Sequence, residues 1–228
     1  MAEVPVIAVD GPSGTGKGTL CVRLADWLGW HLLDSGALYR VLALAALEAG
    51  AGTDNEDALA ALAREVDVEF QRGDDGIRVL LNGEDVSARL RTEECGSAAS
   101  RIAALPAVRA ALVERQRAYR RPPGLIADGR DMGTVIFPDA PLKLFLTANP
   151  EERARRRYKQ LIEQGISVNL DRLSAEIAER DDRDSKRVAS PLKPATDAIL
   201  LDTTELGIDE VMTKVSALVR DRFAHLPD

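Results

Sequence analysis

One stretch limits what this chain can fold into more than any other: Gly11-Pro12-Ser13-Gly14-Thr15-Gly16-Lys17-Gly18-Thr19. It follows the apolar run Val6-Ile7-Ala8-Val9 and precedes an amphipathic segment from Leu20 to Trp30. Strand, glycine loop and helix therefore come in that order. Such a loop turns backbone N–H groups inward on a phosphate chain, and the new helix points its positive end at the same place. Glycines at 11, 14, 16 and 18 leave room for close backbone approach. Lys17 is placed to reach the β- and γ-phosphates of a nucleotide such as ATP. Thr19 is placed to offer a hydroxyl to a phosphate or to Mg²⁺.

The spacing narrows the class. The general phosphate-loop pattern is G-x-x-x-x-G-K-[ST]. Gly11 to Lys17 fits it, but Gly18 follows the lysine and the hydroxyl residue comes next. A dinucleotide-binding G-x-G-x-x-G, counted from Gly14, would need glycine where Thr19 stands. A glycine-rich surface turn is the plain alternative, and the flanking strand and helix argue against it.

The 228 residues suit one large domain, or one domain with insertions. Apolar residues make up 45%, enough for a buried core, but aromatics only 4%, so Ala, Leu, Val and Ile must fill it. The formal net charge is −7, whereas general nucleic-acid binders are more often basic. A small anionic ligand held by local arginines is expected, and no nucleic acid. Cys21 and Cys95 form neither a disulfide framework nor a zinc pattern. No apolar run approaches the roughly 20 residues of a membrane-spanning helix. Met1-Ala2-Glu3-Val4-Pro5 carries no basic segment of an export signal. A cytoplasmic protein with no membrane partner is the expectation.

Five apolar runs read as buried strands: Val6–Val9, His31–Leu33, Leu125–Ala127, Leu142–Leu146 and Ile199–Leu201. Helical patterns lie between them, which predicts an α/β fold with a parallel sheet covered on both faces. Ligands of such sheets sit beyond the carboxyl ends of the strands. Those ends carry Asp10-Gly11, Asp34-Ser35, Asp128-Gly129-Arg130-Asp131 and Thr147-Ala148-Asn149. Helices are predicted over 36–49 and 55–64, and then the period changes. Val66–Phe70 alternates, Gly73-Asp74-Asp75-Gly76 is turn-rich, Ile77–Leu81 is apolar and Asn82-Gly83 signals a hairpin. A three-stranded meander over about 66–88 is therefore predicted beside the main sheet. Further helices are expected over Glu93–Leu105, Pro106–Arg121, Pro150–Gly165, Leu170 to Asp184, and Gly207–Phe223.

Arg153, Arg156 and Arg157 have i, i+3, i+4 spacing and are predicted on one helix face. They can pair with Glu151 and Glu152 on a solvated helix, or close over phosphates and stabilise the charge of phosphoryl transfer. Arg180, Asp184 and Arg187 share a face if their helix continues, and seven of the eight residues from 180 to 187 are charged. A bound phosphate or ribose explains that density, and so does a surface ion-pair ladder. Asp34 and Asp128 end neighbouring strands. A carboxylate there suits a magnesium–water shell beside a phosphate loop, or the cap of a helix or turn.

With the loop, Leu33-Asp34-Ser35-Gly36-Ala37-Leu38-Tyr39-Arg40 and Ile126-Ala127-Asp128-Gly129-Arg130-Asp131-Met132-Gly133-Thr134 in hand, the chain resembles the bacterial cytidylate kinases, a nucleoside monophosphate kinase family. The Arg180-Asp181-Asp182-Arg183-Asp184 run is similar to that family too. The resemblance runs from Val6 to the final helix, and Asp-Gly-Arg-Asp-x-Gly-Thr is its most specific part. It implies one P-loop NTPase-type domain over residues 1–228, with a five-stranded parallel sheet flanked by helices. A monophosphate-binding insertion over 36–110 would contain the meander, and a short helical lid would span 150–168.

The resemblance also implies a chemistry. ATP with Mg²⁺ would occupy Gly11–Thr19, and CMP or dCMP the opposing cleft. Ser35, Arg40 and Arg130 would surround the monophosphate. Asp131, Arg180 and Asp184 would address the sugar. Ser100, Arg109 and Arg187 would lie near the cytosine or its phosphate. Lys17, Arg130, Arg153 and Arg157 would carry catalysis, and Thr19, Asp34 and Asp128 would hold the metal, directly or through water. A monomer is implied. A kinase for another monophosphate such as UMP, and a nucleotide-dependent switch, are the alternatives. The switch lacks a guanine-reading Asn-Lys-x-Asp stretch.

Overall fold

A computed structural model of the protein describes residues 3–50, 55–73, 76–90, 92–163 and 165–223. Strand β1 (Val6–Asp10) runs into the glycine loop and helix α1 (Lys17–Leu28) leaves it. Left-handed Gly29 ends α1 and turns the chain into β2 (His31–Asp34). Asp34 caps α2 (Ser35–Glu48) by accepting from the Ala37 N–H at 2.9 Å. Asn55 caps α3 (Glu56–Glu65) in the same way through Ala58. Strands β3 (Val68–Gly73), β4 (Gly76–Leu81) and β5 (Glu84–Asp85) form the expected antiparallel meander. Asn82 and Gly83, both at positive φ, make its tight turn. Asp74-Asp75 and Met1-Ala2 lie outside the described residues.

A short helix, α4 (Ser87–Leu90), follows where the sequence pattern gave no sign of one. Next come α5 (Glu93–Ile102), capped by Thr92, and α6 (Pro106–Arg117), with Pro106 in its first turn. After β6 (Leu125–Gly129) the chain makes a π-helical turn over Met132–Ile136 and enters β7 (Leu142–Thr147). The remaining elements are α7 (Pro150–Glu163), α8 (Leu170–Lys186), β8 (Ile199–Asp202) and α9 (Ile208–Arg222).

The five apolar runs join one parallel sheet in the order β2-β6-β1-β7-β8. Every strand extends beyond its apolar run into polar residues, pairing Asp10 with Gly129 and Asp34 with Asp128. Hydrophobic patterning marks the buried part of a strand, not the end of its hydrogen-bond ladder. Alternate side chains of β1 serve opposite faces. Ile7 and Val9 pack with Leu24 of α1 and Val215 of α9, while Val6 and Ala8 pack with Leu38 of α2 and Phe137. Burial on both faces is why β1 reads as a continuous apolar run.

Two satellite cores flank this sheet. Leu42, Leu59, Ile102 and Leu112 join α2, α3, α5 and α6, and Val79 and Leu81 of the meander pack on Val41 and Leu44 of α2. Ala154, Leu161, Leu173 and Ile177 hold α7 and α8 together as a hairpin with its own small core. No helix among the described residues is long and apolar enough to cross a membrane.

Candidate active site

The phosphate loop is wedged between β7 and α7. A Cβ on Gly11, at φ 141°, would lie 2.1 Å from the Leu146 carbonyl oxygen. One on Gly14, at φ 80°, would lie 2.8 Å from Cβ of Arg153. Both positions demand glycine for space as well as for backbone angle. Left-handed Gly16 opens α1 with no side-chain cap, so the uncapped N–H groups and positive helix end stay at the mouth of the loop. Lys17 Nζ donates to the Pro12 carbonyl at 2.8 Å, and Thr15 Oγ1 donates to the same oxygen at 3.1 Å. Burial, followed by the nearby Arg130, pushes the Lys17 ammonium down to about 8, and Asp128 opposes them. Thr19 is exposed in the first turn of α1.

Asp34 and Asp128 face each other across β2 and β6. Oδ2 of Asp128 lies 3.6 Å from where a Cβ on Gly18 would stand, beside the start of α1. Its surroundings raise this carboxyl to about 6, chiefly by desolvation, while Lys17 draws it down. Asp34 is the helix cap that one reading of the sequence allowed. No group of three or more His, Cys, Asp or Glu side chains that could hold a metal occurs among the described residues. This donor set suits a cation that brings water and phosphate ligands with it, as Mg²⁺ does.

Across the strand ends from the loop lies a narrow cleft with a free volume of about 40 Å³. Five segments of chain converge on it. Ser35 comes from the start of α2, Ser100 from α5, Arg109 from α6, Arg130 and Asp131 from the chain after β6, and Arg180, Asp184 and Arg187 from α8 and its C-terminus. Two sets of contacts divide them. At one end Arg109 forms a buried ion pair with Asp131, donates to the Ala103 carbonyl at 3.1 Å and lies over the Tyr39 ring at 5.7 Å. Arg187 reaches that carbonyl at 3.5 Å. Asp131 thus sits with Arg109 in the same cleft that Arg180 and Asp184 line.

At the other end Arg130 donates to Asp184 at 3.1 Å, and Ser100 donates to the same carboxylate at 3.3 Å. Arg180 and Arg40 approach each other over Gly96, whose added Cβ would lie 3.7 Å from Arg180 Nη1 and 4.0 Å from Arg40 Nη2. Arg40 is the one expected substrate residue beside this cleft rather than on its wall. Desolvation, then Arg130, then Arg40 push the Arg180 guanidinium down to about 9, against Asp184 and Glu93. The Nε atoms of Arg180 and Arg40 are enclosed with no hydrogen-bond partner among the described residues. Three guanidinium groups gather here, and Arg180 feels the other two as like charges.

The arginines of α7 start from one helix face, but their side chains reach different partners. Arg153 is buried, donates to the Ser13 carbonyl of the loop at 3.2 Å and pairs with Asp181 at 2.6 Å. Arg157 pairs with Glu93 across the cleft, Nε to Oε1 at 2.8 Å. Arg156 turns away to the Thr203 carbonyl at 2.6 Å and to Glu152 at 3.0 Å. Positions three and four along a helix are 100° apart from each other, and a long side chain amplifies that angle. The dense run of α8 divides similarly. Arg183 with Glu179 and Lys186 with Asp182 form a surface ladder, while Arg180, Asp181 and Asp184 turn inward.

Three contributors escaped the sequence reading. Asp10 was visible at the strand edge without a role. Tyr39 stood in a quoted motif without one. Gly96 gave no signal, because the arginines that meet over it come from two distant segments.

A glycine phosphate loop on the central strand of a parallel sheet, facing an arginine-rich cleft across the same strand ends, defines a P-loop kinase with a small anionic acceptor. The family model described as cytidylate kinase matches residues 7–221. A cytidylate kinase of Shewanella frigidimarina (strain NCIMB 400) is 61% identical over 213 residues, covering 92% of this chain and 93% of that protein. One from Aeromonas salmonicida (strain A449) is 62% identical over 213 residues, with 93% of each covered. One from Klebsiella pneumoniae (strain 342) is 57% identical over 223 residues, with 98% of each covered. The chain belongs to the cytidylate kinase family.

Proposed function

We infer that this protein transfers the γ-phosphoryl group of ATP to CMP or dCMP, giving ADP and CDP or dCDP. Besides family membership, the observation that carries the reading is the cluster of Arg40, Arg130 and Arg180 opposite the phosphate loop, in which Arg180 is held down by burial and by its two cationic neighbours and the enclosed Nε atoms of Arg40 and Arg180 have no partner among the described residues. A phosphate dianion there relieves the mutual repulsion and supplies acceptors to the enclosed donors. Ser35 lines the same cleft.

The Arg109 end suits cytosine. Arg109 and Arg187 supply donors for O2 and N3, and Asp131 supplies an acceptor for the N4 amine. Uracil carries a proton on N3 and an oxygen at position 4, so it would oppose both. Asp184, holding Arg130 and Ser100, suits the sugar.

Transfer is direct and in line. An oxygen of the CMP phosphate bonds to the γ-phosphorus as the bond to the β–γ bridging oxygen breaks, and the electron pair leaves with ADP. The attacking oxygen is already deprotonated, so no general base is needed. Lys17 exchanges the Pro12 carbonyl for the transferring phosphates, Arg153 stands ready beside the loop, and Arg157 leaves Glu93 to join them. Catalysis consists of positioning and charge stabilisation. Mg²⁺ arriving with ATP would be held through water by Asp34 and Asp128, with Thr19 as a further ligand, and would neutralise phosphate charge. Residues 36–110 serve as the monophosphate-binding insertion and 150–168 as a closing lid. The working form is a cytoplasmic monomer.

Calorimetry without ATP tests the reading. CMP should bind at least tenfold tighter than cytidine, and Arg180→Met should erase most of that difference. Equal affinity of the unaltered protein for CMP and cytidine would contradict it.

A further inference from the structure

β1 ends on a charged side chain that none of the roles above uses. Asp10 is 4% exposed and directly precedes the phosphate loop. Its carboxylate accepts from two successive backbone groups, the Met132 N–H on Oδ1 and the Gly133 N–H on Oδ2, each at 2.8 Å. These are the first amides of the π-helical turn, and Asp131, the residue capping that turn, gives it no side-chain bond. A π-helical segment is a rare irregularity that concentrates at functional sites. Here a carboxylate from the neighbouring strand holds it in place.

The fit is tight. A Cβ on Gly133 would lie 3.4 Å from Asp10 Oδ2 and 3.1 Å from Lys143 Cδ. Burial dominates the surroundings of Asp10 and raises its carboxyl to about 7; Asp131 raises it further, while the two amides and Lys17 draw it down. A buried carboxylate is costly unless its bonds are needed. The residue it fixes through the backbone is Asp131, the partner of Arg109.

We propose that Asp10 is a positioning residue for the acceptor site: by gripping the two amides after Asp131, it sets the Asp131–Arg109 pair in register with the phosphate loop. This rests on the reading that CMP occupies the cleft. Asp10 touches no reacting atom, and the phosphate loop keeps its own glycine geometry without it. Its loss therefore acts on the acceptor more than on ATP.

Asp10→Asn turns one acceptor into a donor facing a donor. KM for CMP should rise about tenfold or more, with KM for ATP changed by less than about threefold. Amide exchange at Met132 and Gly133 should accelerate while the amides of β1 and β6 keep their protection. Equal rises in both KM values, unchanged kinetics, or loss of protection across the whole sheet would overturn the proposal. If the variant does not fold, the unaltered protein carries the test. The amide proton shifts of Met132 and Gly133 report the titration of Asp10 by NMR. The inhibition constant of cytidine, which has no phosphate to titrate, should weaken on the acid side with the same midpoint. A cytidine constant indifferent to that midpoint would overturn the proposal alone. Failure of the unaltered protein to phosphorylate CMP would instead overturn the parent reading, and this one with it.

Discussion

Replacing Arg109 by methionine removes a charge and leaves most of the apolar stem. Arg109 and Asp131 are both buried, at 5% and 2% exposure, and their ion pair is the main polar contact at that end of the cleft. Two costs follow. Asp131 loses its partner, and breaking a buried pair from one side costs about 3–5 kcal/mol of fold stability. Cytosine loses a donor, which costs about 1–3 kcal/mol, or roughly tenfold to a hundredfold in kcat/KM. Uracil presents a proton at N3, makes no use of that donor, and should lose far less. The double variant Arg109→Met with Asp131→Asn removes the orphaned charge as well, and changes the group that faces the N4 amine; the single variant Asp131→Asn completes the cycle that separates the two costs. Urea denaturation should then show stability regained, while coupled ADP release shows the CMP-to-UMP ratio still narrowed. Equal losses on CMP and UMP in the single variant would mean that Arg109 serves the phosphate or the fold, not the base.

Lys17→Met should lower turnover by about 10²–10³ and leave the urea midpoint intact; an unaltered turnover number would contradict the role of the loop lysine. The Lys17 ammonium of the free protein is held down to about 8, below the ordinary lysine range, and ATP needs it charged. ATP affinity should therefore fall as pH rises through that value, with a proton taken up on binding above it; calorimetry in buffers of different ionisation enthalpy showing no uptake would contradict this. Arg157→Ala should lower kcat more than it weakens ATP binding, whereas Glu93→Gln, which removes the ion pair holding Arg157, should leave kcat undiminished. A fall in ATP affinity with kcat preserved in Arg157→Ala would make Arg157 an ordinary binding residue.

The sheet was legible because burial writes itself into composition. Val6–Val9 and Leu142–Leu146 are apolar without interruption, and a strand covered on both faces requires that. The loop was legible because Gly11 and Gly14 have no room for a side chain. Strand ends were less so, since β6 keeps its ladder through Asp128 and Gly129 after the apolar signal stops. The π-helical turn left no periodic trace: the carboxylate that accepts from its first two amides belongs to Asp10, more than a hundred residues earlier. Direction along α7 was hidden as well. Spacing brought Arg153, Arg156 and Arg157 together, but partners on the loop, on the segment after β8 and on α5 drew them apart. Asp131 could not be given its neighbour because Arg109 is 22 residues away and meets it only through the fold.

Delivery of the phosphoryl group from ATP to the phosphate of a cytidine nucleotide, and to no other acceptor, can be followed directly. Phosphorus NMR of the purified protein with Mg²⁺, ATP and CMP follows every phosphorus atom in one tube. ADP and CDP should rise in equal amounts, the same with dCMP, with far slower formation of UDP when UMP is supplied and no steady release of inorganic phosphate. Inorganic phosphate accumulating at the same rate with and without CMP, and no CDP, would contradict it.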